Sequence, residues 1–148
     1  MTSYPAYYYR QSAVIPVRGD GEDLRVLLIS SRTRSRWIIP KGIVEPNLSA
    51  AESAAKEAYE EAGIRGQVHP EALGEYDYPK WGGTCVAEVY LMRVDEVLDR
   101  WLESFRERVW LTLDEAIGRI QEEKLREIMR GVPDFIRGTP DGSFTDGG

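Results

Sequence analysis

The chain has little cysteine and no long hydrophobic run. Cys85 is the single cysteine among 148 residues, so no internal disulfide can form. No apolar run approaches the roughly 18 residues that a membrane-spanning helix needs. The stretch from Met1 to Pro5 has neither the basic start nor the apolar core of a signal peptide. Together these features predict a cytoplasmic protein that does not enter a membrane.

Positive charge is also scarce. The chain has 19 lysines and arginines against 25 aspartates and glutamates, a net charge of -6. Because nucleic acids and anionic membranes bind surfaces with excess lysine and arginine, general binding to either is not expected. The length fits one domain, which we expect over residues 1–137. Residues 138–148 are rich in glycine, aspartate and threonine and are predicted to form a frayed tail.

Apolar stretches between turn residues indicate alternating strands and helices. Strands are predicted at 11–17, 24–30, 37–39, 73–78, 84–94 and 108–111. Helices are predicted at 50–62, from 113 onward after the N-cap Thr112, and at 124–130. The helix at 50–62 has clear ends, because Ser49 and Glu52 have capping-box spacing and Gly63 stands where a left-handed C-cap belongs.

One face of this helix carries three carboxylates. Glu57, Glu60 and Glu61 stand at i, i+3 and i+4, where each like-charge pair costs about 0.2–0.5 kcal/mol. A hard divalent cation would remove that penalty, since magnesium is held by carboxylate, phosphate and water oxygens. Gly42, in the preceding loop, lets a backbone carbonyl approach the same ion. The sequence therefore predicts a Mg²⁺ (or Mn²⁺) site formed by Gly42, Glu57, Glu60 and Glu61.

Residues 42–64 also match a family pattern. The pattern is G-x5-E-x7-R-E-U-x-E-E-x-G-U, in which U is a bulky aliphatic residue. Six of its fixed positions are matched, by Gly42, Glu57, Glu60, Glu61, Gly63 and Ile64. The segment resembles the Nudix box, and the preceding Trp37-x-x-Pro40 turn is common in that family. The resemblance implies an α/β Nudix fold, with a mixed β-sheet sandwiched between α-helices. It also implies hydrolysis of a phosphoanhydride, such as a nucleoside diphosphate linked to another group.

Three positions depart from the pattern. Leu48 replaces the first glutamate, Lys56 replaces the arginine, and Ala58 is a small version of the first aliphatic residue. In the family the arginine orients a carboxylate of the metal cluster, whereas Lys56 does so only as a flexible point charge. Because Leu48 has no carboxylate, support for the loop is expected from the capping box and from Glu45.

The resemblance assigns the chemistry to Lys56, Glu57, Glu60 and Glu61. Glu57 and Glu61 are expected to be direct metal ligands, whereas Glu60 is either a ligand or the general base. Glu88 is an additional carboxylate whose simpler interpretation is a solvated surface residue.

The resemblance extends beyond the box to roughly residues 10–120. Segments 27–32, 36–40, 96–101, 106–110 and 114–117 are similar in order and spacing to diphosphoinositol polyphosphate phosphohydrolases, which also cleave diadenosine polyphosphates. Lys41, between Pro40 and Gly42, instead resembles the diadenosine tetraphosphate hydrolases and fungal relatives. These similarities imply a small-molecule polyphosphate substrate.

Such a substrate needs cationic partners, and arginine binds phosphate oxygens in bidentate fashion. The residues expected to bind it are Arg10, Ser31, Arg32, Arg36, Lys41, Arg106 and Arg108. Trp81, Tyr76 and Tyr78 are candidates for stacking on a nucleobase.

Two other functions fit the same residues. A different Nudix hydrolase would act on ADP-ribose, a nucleoside triphosphate or the 5′ end of RNA. A non-catalytic Nudix module would bind a nucleotide and regulate another process. The basic residues from Arg32 to Arg36 favour a highly phosphorylated ligand, and the presence of both Glu57 and Glu61 favours an enzyme.

Overall fold

The central strand of the sheet is the most deeply buried part of the chain. Strand β1 (Arg10–Arg18) is buried from Gln11 to Val17, in a computed structural model that describes residues 4–139 and 145–146. The other strands are β2 (Arg25–Ser30), β3 (Trp37–Ile38), β4 (Lys41–Ile43), β5 (Ile64–Val68), β6 (Gly74–Lys80), β7 (Gly83–Val97), β8 (Arg108–Thr112) and β9 (Thr145–Asp146). The helices are α1 (Ala50–Glu57), α2 (Leu113–Arg119), α3 (Glu123–Arg130) and α4 (Val132–Arg137).

The sheet is mixed. β1 pairs in parallel with β7 and antiparallel with β2 and β4. The order across the sheet is β3-β2-β1-β7-β5-β9, with β8 paired to β2 and β6 paired to β7. Apart from β1 with β7, the pairings among the described residues are antiparallel. The parallel pair lies at the centre, which explains why β1 is buried along its length on both faces.

Helices cover both faces of the sheet. Ile15 of β1 packs in one core cluster with Ile117 of α2 and Leu125 of α3. Val14, the preceding residue, packs in a second cluster with Ala54 of α1. Because successive side chains of a strand point to opposite faces, these clusters are the two layers of a sandwich. The predicted mixed sheet between α-helices is confirmed.

The helical segment 50–62 begins and ends where the sequence predicts, but only its first part, α1, is α-helical. Ser49 Oγ accepts from Glu52 N at 3.0 Å and Glu52 Oε1 accepts from Ser49 N at 2.8 Å, which is the predicted capping box. After Glu57 the chain continues as a π-helical turn, Ala58–Ala62, and it ends at Gly63 with φ 65. Such wide turns change the direction of side chains and are frequent at functional sites.

The loop of residues 98–108 caps this π-helical turn. The carbonyls of Glu60, Glu61, Ala62 and Gly63 accept hydrogen bonds from Glu103 N at 3.0 Å, Trp101 Nε1 at 3.0 Å, Arg108 Nη1 at 3.0 Å and Leu98 N at 2.8 Å. A helix end normally leaves such carbonyls without partners inside the helix. A Cβ atom at Gly63 would come within 2.7 Å of Trp101 Cγ, so this glycine also makes room for the loop.

The sequence analysis did not predict several short strands, whose formation depends on pairing with strands distant in sequence. β4 contains Gly42 and follows Pro40, which indicate a strand end, yet it pairs with three residues of β1. β5 contains Gly66 at an irregularity in its pairing with β7. In the predicted tail, Thr145 and Asp146 pair with β5, whereas 140–144 and 147–148 lie outside the described residues.

Candidate active site

Two carboxylates lie side by side where α1 meets β4. Glu61 is 8% exposed, and Glu57 is half-buried. The backbone N of Lys41 donates to Glu61 Oε1 at 3.2 Å. A Cβ atom at Gly42 would lie 2.3 Å from Glu57 Cδ, so only glycine lets the strand come this close to the carboxylate. The structure thus brings together Gly42, Glu57 and Glu61, three of the four predicted metal-site residues.

The pair opens onto a cleft with both anionic and cationic walls. Its lining residues are Tyr7, Tyr8, Gln11, Arg32, Lys41, Gly42, Ile43, Glu45, Lys56, Glu57, Glu61, Lys80, Trp81 and Glu103. The sequence predicted Arg32, Lys41 and Lys56 at the site. It did not predict Lys80 or Glu103.

Burial strongly favours the neutral forms of the two carboxyl groups. It raises the pKa of Glu57 to about 7 and that of Glu61 to about 8. The charge of Glu57 raises the pKa of Glu61 further. Near neutral pH the pair therefore retains a proton unless a cation takes its place.

The donors at this position suit a hard divalent cation. They are oxygens, which Mg²⁺ and Mn²⁺ prefer, and magnesium usually uses one or two carboxylates together with water and substrate phosphates. Across residues 4–139 and 145–146, no group of three or more histidine, cysteine, aspartate or glutamate side chains is arranged to hold a metal ion. Glu57, Glu61 and the backbone of Gly42 therefore fit a site whose shell the substrate completes.

Glu60 does not line the cleft with this pair. Its Oε2 is 4.0 Å from Nζ of Lys56, and the same Nζ binds Glu45 Oε2 at 2.6 Å. The charge of Glu60 nevertheless raises the pKa of Glu57, so the two carboxylates remain neighbours. The metal or base role of Glu60 stays a prediction.

Glu103 brings a third carboxylate to the pair. Its Oε1 accepts from Arg106 Nε at 3.1 Å and Arg106 Nη2 at 2.9 Å, and Arg32 Nη2 lies 3.5 Å away. Glu103 lines the same cleft as Glu57 and Glu61, and its charge raises the pKa of both. Its only sequence signal is its position between two segments, 96–101 and 106–110, that are similar to the phosphohydrolases.

Arg106 and Arg108 contact the scaffold through their side chains, and their roles in substrate binding stay predictions. Arg106 is 6% exposed and donates to Ser30 O at 2.9 Å as well as to Glu103. Arg108 Nη1 donates to the carbonyls of Ala62 and Leu98 at 3.0 and 2.9 Å. Both arginines position the loop that caps the π-helical turn.

The structure does not place Arg10, Ser31 or Arg36 among the residues that line the cleft. Arg10 pairs with Glu88 at 3.2 Å, and Arg36 pairs with Glu122 at 2.9 Å. Ser31 Oγ accepts from the backbone N of Ser35 and of Arg36 and so stabilises the loop after β2. Their roles in substrate binding stay predictions.

Three cations besides Lys56 line the cleft. Arg32 has a side chain that is 72% exposed. Lys41 Nζ lies 4.0 Å from the centroid of the Tyr78 ring, and burial lowers the pKa of this lysine. Lys80 Nζ lies 4.6 Å from the Trp81 ring. A cleft with these cations beside a carboxylate pair that suits a divalent cation is suited to a polyphosphate.

Residues 8–132 match the NUDIX domain. The chain belongs to the Nudix family. It is 33% identical over 126 residues to diphosphoinositol polyphosphate phosphohydrolase 3-alpha of Homo sapiens, covering 81% of this chain and 74% of the relative. It is 38% identical over 106 residues to the mitochondrial Nudix hydrolase 16 of Arabidopsis thaliana, covering 66% of this chain and 58% of that protein.

Solved structures share the fold. The crystal structure of a C. elegans Ap4A hydrolase binary complex matches with a TM-score of 0.75 at 20% identity, over 88% of this chain and 99% of that chain. The predicted resemblance to the Nudix family and its phosphohydrolases is confirmed, and with it the prediction of a Nudix hydrolase.

Two of the three departures in the Nudix box, Leu48 and Lys56, contact Glu45. Its backbone N donates to Ser53 Oγ of α1 at 3.1 Å, and its carboxylate binds Lys56. Its carbonyl accepts from the backbone N of Leu48 at 3.0 Å. Glu45 thus ties the loop to the helix, as expected in the absence of the first box glutamate.

The metal-free Nudix domain is expected to lose stability as the pH rises. The pKa of Glu57 and of Glu61 in the folded chain exceeds the ordinary value of 4.5, so the folded state binds more protons than the unfolded one. Their contribution is therefore fully present below about pH 4.5 and is lost as the pH rises through about 8. Between about pH 6 and 9 the free energy of unfolding should fall by at least about 1.4 kcal/mol, the value of one pKa unit.

Thermal unfolding of the chelator-treated protein measures this dependence. Added Mg²⁺ should raise the melting temperature more at high pH, where fewer protons compete for the carboxylates. Glu61→Gln should flatten the pH dependence and reduce the Mg²⁺ effect. The control Glu96→Gln, which alters an exposed residue paired with Arg65, should retain both. Equal behaviour of the two variants would contradict the assignment of the site.

Proposed function

We propose that this Nudix hydrolase uses Mg²⁺ or Mn²⁺ to cleave a phosphoanhydride bond in a highly phosphorylated small molecule, of the diadenosine polyphosphate or diphosphoinositol polyphosphate type. The observation that carries the proposal is the buried pair of Glu57 and Glu61 in a cleft that also presents Arg32, Lys41 and Lys80. The first relatives are named for diphosphoinositol polyphosphates, and the solved neighbour is named for Ap4A.

Each group in the cleft has a distinct role in this reaction. Glu57, Glu61 and the backbone of Gly42 hold the cation, which when bound polarises the phosphoanhydride and neutralises its oxygens. Arg32, Lys41 and Lys80 bind the other phosphates and fix the orientation of the chain of anhydrides. This division separates the groups that hold the cation from those that bind substrate.

Glu103 orients the attacking water in this proposal. Arg106 holds one oxygen of its carboxylate through two hydrogen bonds, which limits rotation of the side chain. A positioned carboxylate accepts a proton from water more effectively than a mobile one, because the entropy of alignment is already lost. Glu60, beside Lys56, is the other candidate for this role.

The location of the protein is a separate matter. No helix within the described ranges is long and apolar enough to cross a bilayer. Relatives include plant proteins named as chloroplastic and mitochondrial. The cytoplasmic location stays a prediction, as does the absence of nucleic-acid partners.

Product release from a substrate panel tests the proposed activity. The purified chain with Mg²⁺ or Mn²⁺ should hydrolyse diadenosine polyphosphates or a diphosphoinositol polyphosphate faster than ADP-ribose or nucleoside triphosphates. Glu57→Gln should reduce kcat/KM by about 100-fold or more, as expected when a carboxylate central to the chemistry is lost. No hydrolysis of any panel member, with unaltered ligand binding by Glu61→Gln, would overturn the catalytic proposal.

The role of Glu103 can be tested with a neighbouring glutamate as control. Glu103→Gln keeps the shape but removes the charge that Arg106 fixes, and we expect kcat to fall about 10- to 100-fold. Glu107→Gln removes an exposed carboxylate that pairs with Arg34 at 3.0 Å, and its kcat should stay within about twofold. Steady-state kinetics with the best panel substrate measures both. Equal kcat values for the two variants would rule out a catalytic role for Glu103.

A further inference from the structure

A tryptophan side chain supports the backbone of one glutamate in the carboxylate pair. Nε1 of Trp101 donates to the carbonyl of Glu61 at 3.0 Å. The carboxylate of the same glutamate accepts from the backbone N of Lys41 at 3.2 Å. Glu61 is therefore held at two points, by β4 through its side chain and by the loop of residues 98–108 through its carbonyl. Because both groups belong to one residue, a shift of the loop would also displace the carboxylate.

Two further contacts fix the indole ring of Trp101. The guanidinium carbon of Arg108 lies 3.8 Å from the ring centroid, so the two groups stack. Nη1 of this arginine donates to the carbonyls of Ala62 and Leu98 at 3.0 and 2.9 Å. Gly63 leaves room for the ring, since a Cβ atom there would lie 2.7 Å from Trp101 Cγ. The ring and the guanidinium thus form one unit, the Trp101–Arg108 clamp, which binds two successive carbonyls of the π-helical turn.

Core packing does not account for this tryptophan. Trp101 is partly buried, and neither of the two core clusters of the described residues includes it. Trp110, by contrast, packs against the cluster that contains Ala54 of α1. Indole is a large apolar ring with one N–H donor, which usually finds a partner when the ring is buried. Here the partner is the main chain of a candidate metal ligand, which gives the ring a task beyond filling space.

We propose that Trp101 is a positioning residue that sets the place of Glu61 through its backbone carbonyl, and with it the affinity of the cleft for a divalent cation. This inference rests on the proposed function, because it concerns the cation that Glu57, Glu61 and Gly42 would hold. Residues that orient a ligand without touching the metal typically change metal affinity or activity about 10- to 100-fold when they are substituted. Trp101 contacts the main chain of Glu61, so its effect reaches the cation through that ligand.

Trp101→Phe isolates the hydrogen bond. Phenylalanine keeps an aromatic face for Arg108 but has no N–H donor for the carbonyl of Glu61. We expect the dissociation constant for Mn²⁺ to rise about 10-fold. Titration of the metal-free protein by electron paramagnetic resonance, in which unbound Mn²⁺ gives the signal, measures this constant. Excess Mn²⁺ should restore most of kcat/KM with the best panel substrate, because the loss lies in cation affinity.

Trp110→Phe is the matched control. Trp110 also stacks with an arginine, since the guanidinium carbon of Arg18 lies 3.9 Å from its ring centroid, but it belongs to β8 and not to the loop. This variant makes the same chemical change and should retain the Mn²⁺ affinity of the wild type. The melting temperatures of the metal-free variants record the loss of packing separately from the loss of affinity.

Arg108→Met tests the other half of the clamp. Methionine keeps an unbranched side chain beside the ring but has no donor for the carbonyls of Ala62 and Leu98, so the Mn²⁺ affinity should again fall. In the double variant with Trp101→Phe, the loss should be smaller than the product of the two single losses, because the two groups act as a unit.

Unchanged Mn²⁺ affinity in Trp101→Phe, or an equal loss in Trp110→Phe, would refute the positioning role. If Trp101→Phe does not fold, unchanged affinity in Arg108→Met has the same consequence. The titration needs no substrate, so it separates this inference from the proposed activity. Weaker Mn²⁺ binding by Trp101→Phe supports the role of Trp101 even if no panel member is hydrolysed.

Discussion

The removal of two adjacent carboxylates, Glu57 and Glu61, from water is the constraint on which the rest of the site depends. Burial raises the pKa of each group, and the charge of Glu57 raises that of Glu61 further. A divalent cation removes both penalties at once, and phosphate oxygens complete its shell. In this account the Nudix box supplies some of the ligands of a cation, and the substrate supplies the others.

Segments distant in sequence hold the two carboxylates in place. Strand β4 approaches closely because Gly42 has no side chain, and its neighbour Lys41 donates a backbone hydrogen bond to Glu61. The loop of residues 98–108 binds four successive carbonyls of the π-helical turn and presents Glu103. Arg106 is buried in that loop, where its guanidinium donates to the carboxylate of Glu103. Substitutions in the loop should therefore affect catalysis through geometry.

Local features of this arrangement were predictable, and features set by tertiary contacts were not. The capping box at Ser49 and the C-cap at Gly63 depend on residues within a few positions, so the ends of the helix followed from the sequence. The π-helical winding depends on a loop about 40 residues away. Lys80 and Glu103 reach the cleft only through strand pairing and loop docking. The sequence shows that residue 106 is a charged arginine, but it does not show that this side chain is buried.

Crystals soaked with Mn²⁺ and imidodiphosphate offer the most direct test of the shared-cation account. Manganese scatters anomalously, so its position can be determined without assumptions about the ligands. The account predicts an anomalous peak within coordination distance of the carboxylates of Glu57 and Glu61, beside Gly42, with phosphate oxygens in the same shell. A well-ordered phosphate ligand in the cleft with manganese bound elsewhere, and none at this pair, would contradict it.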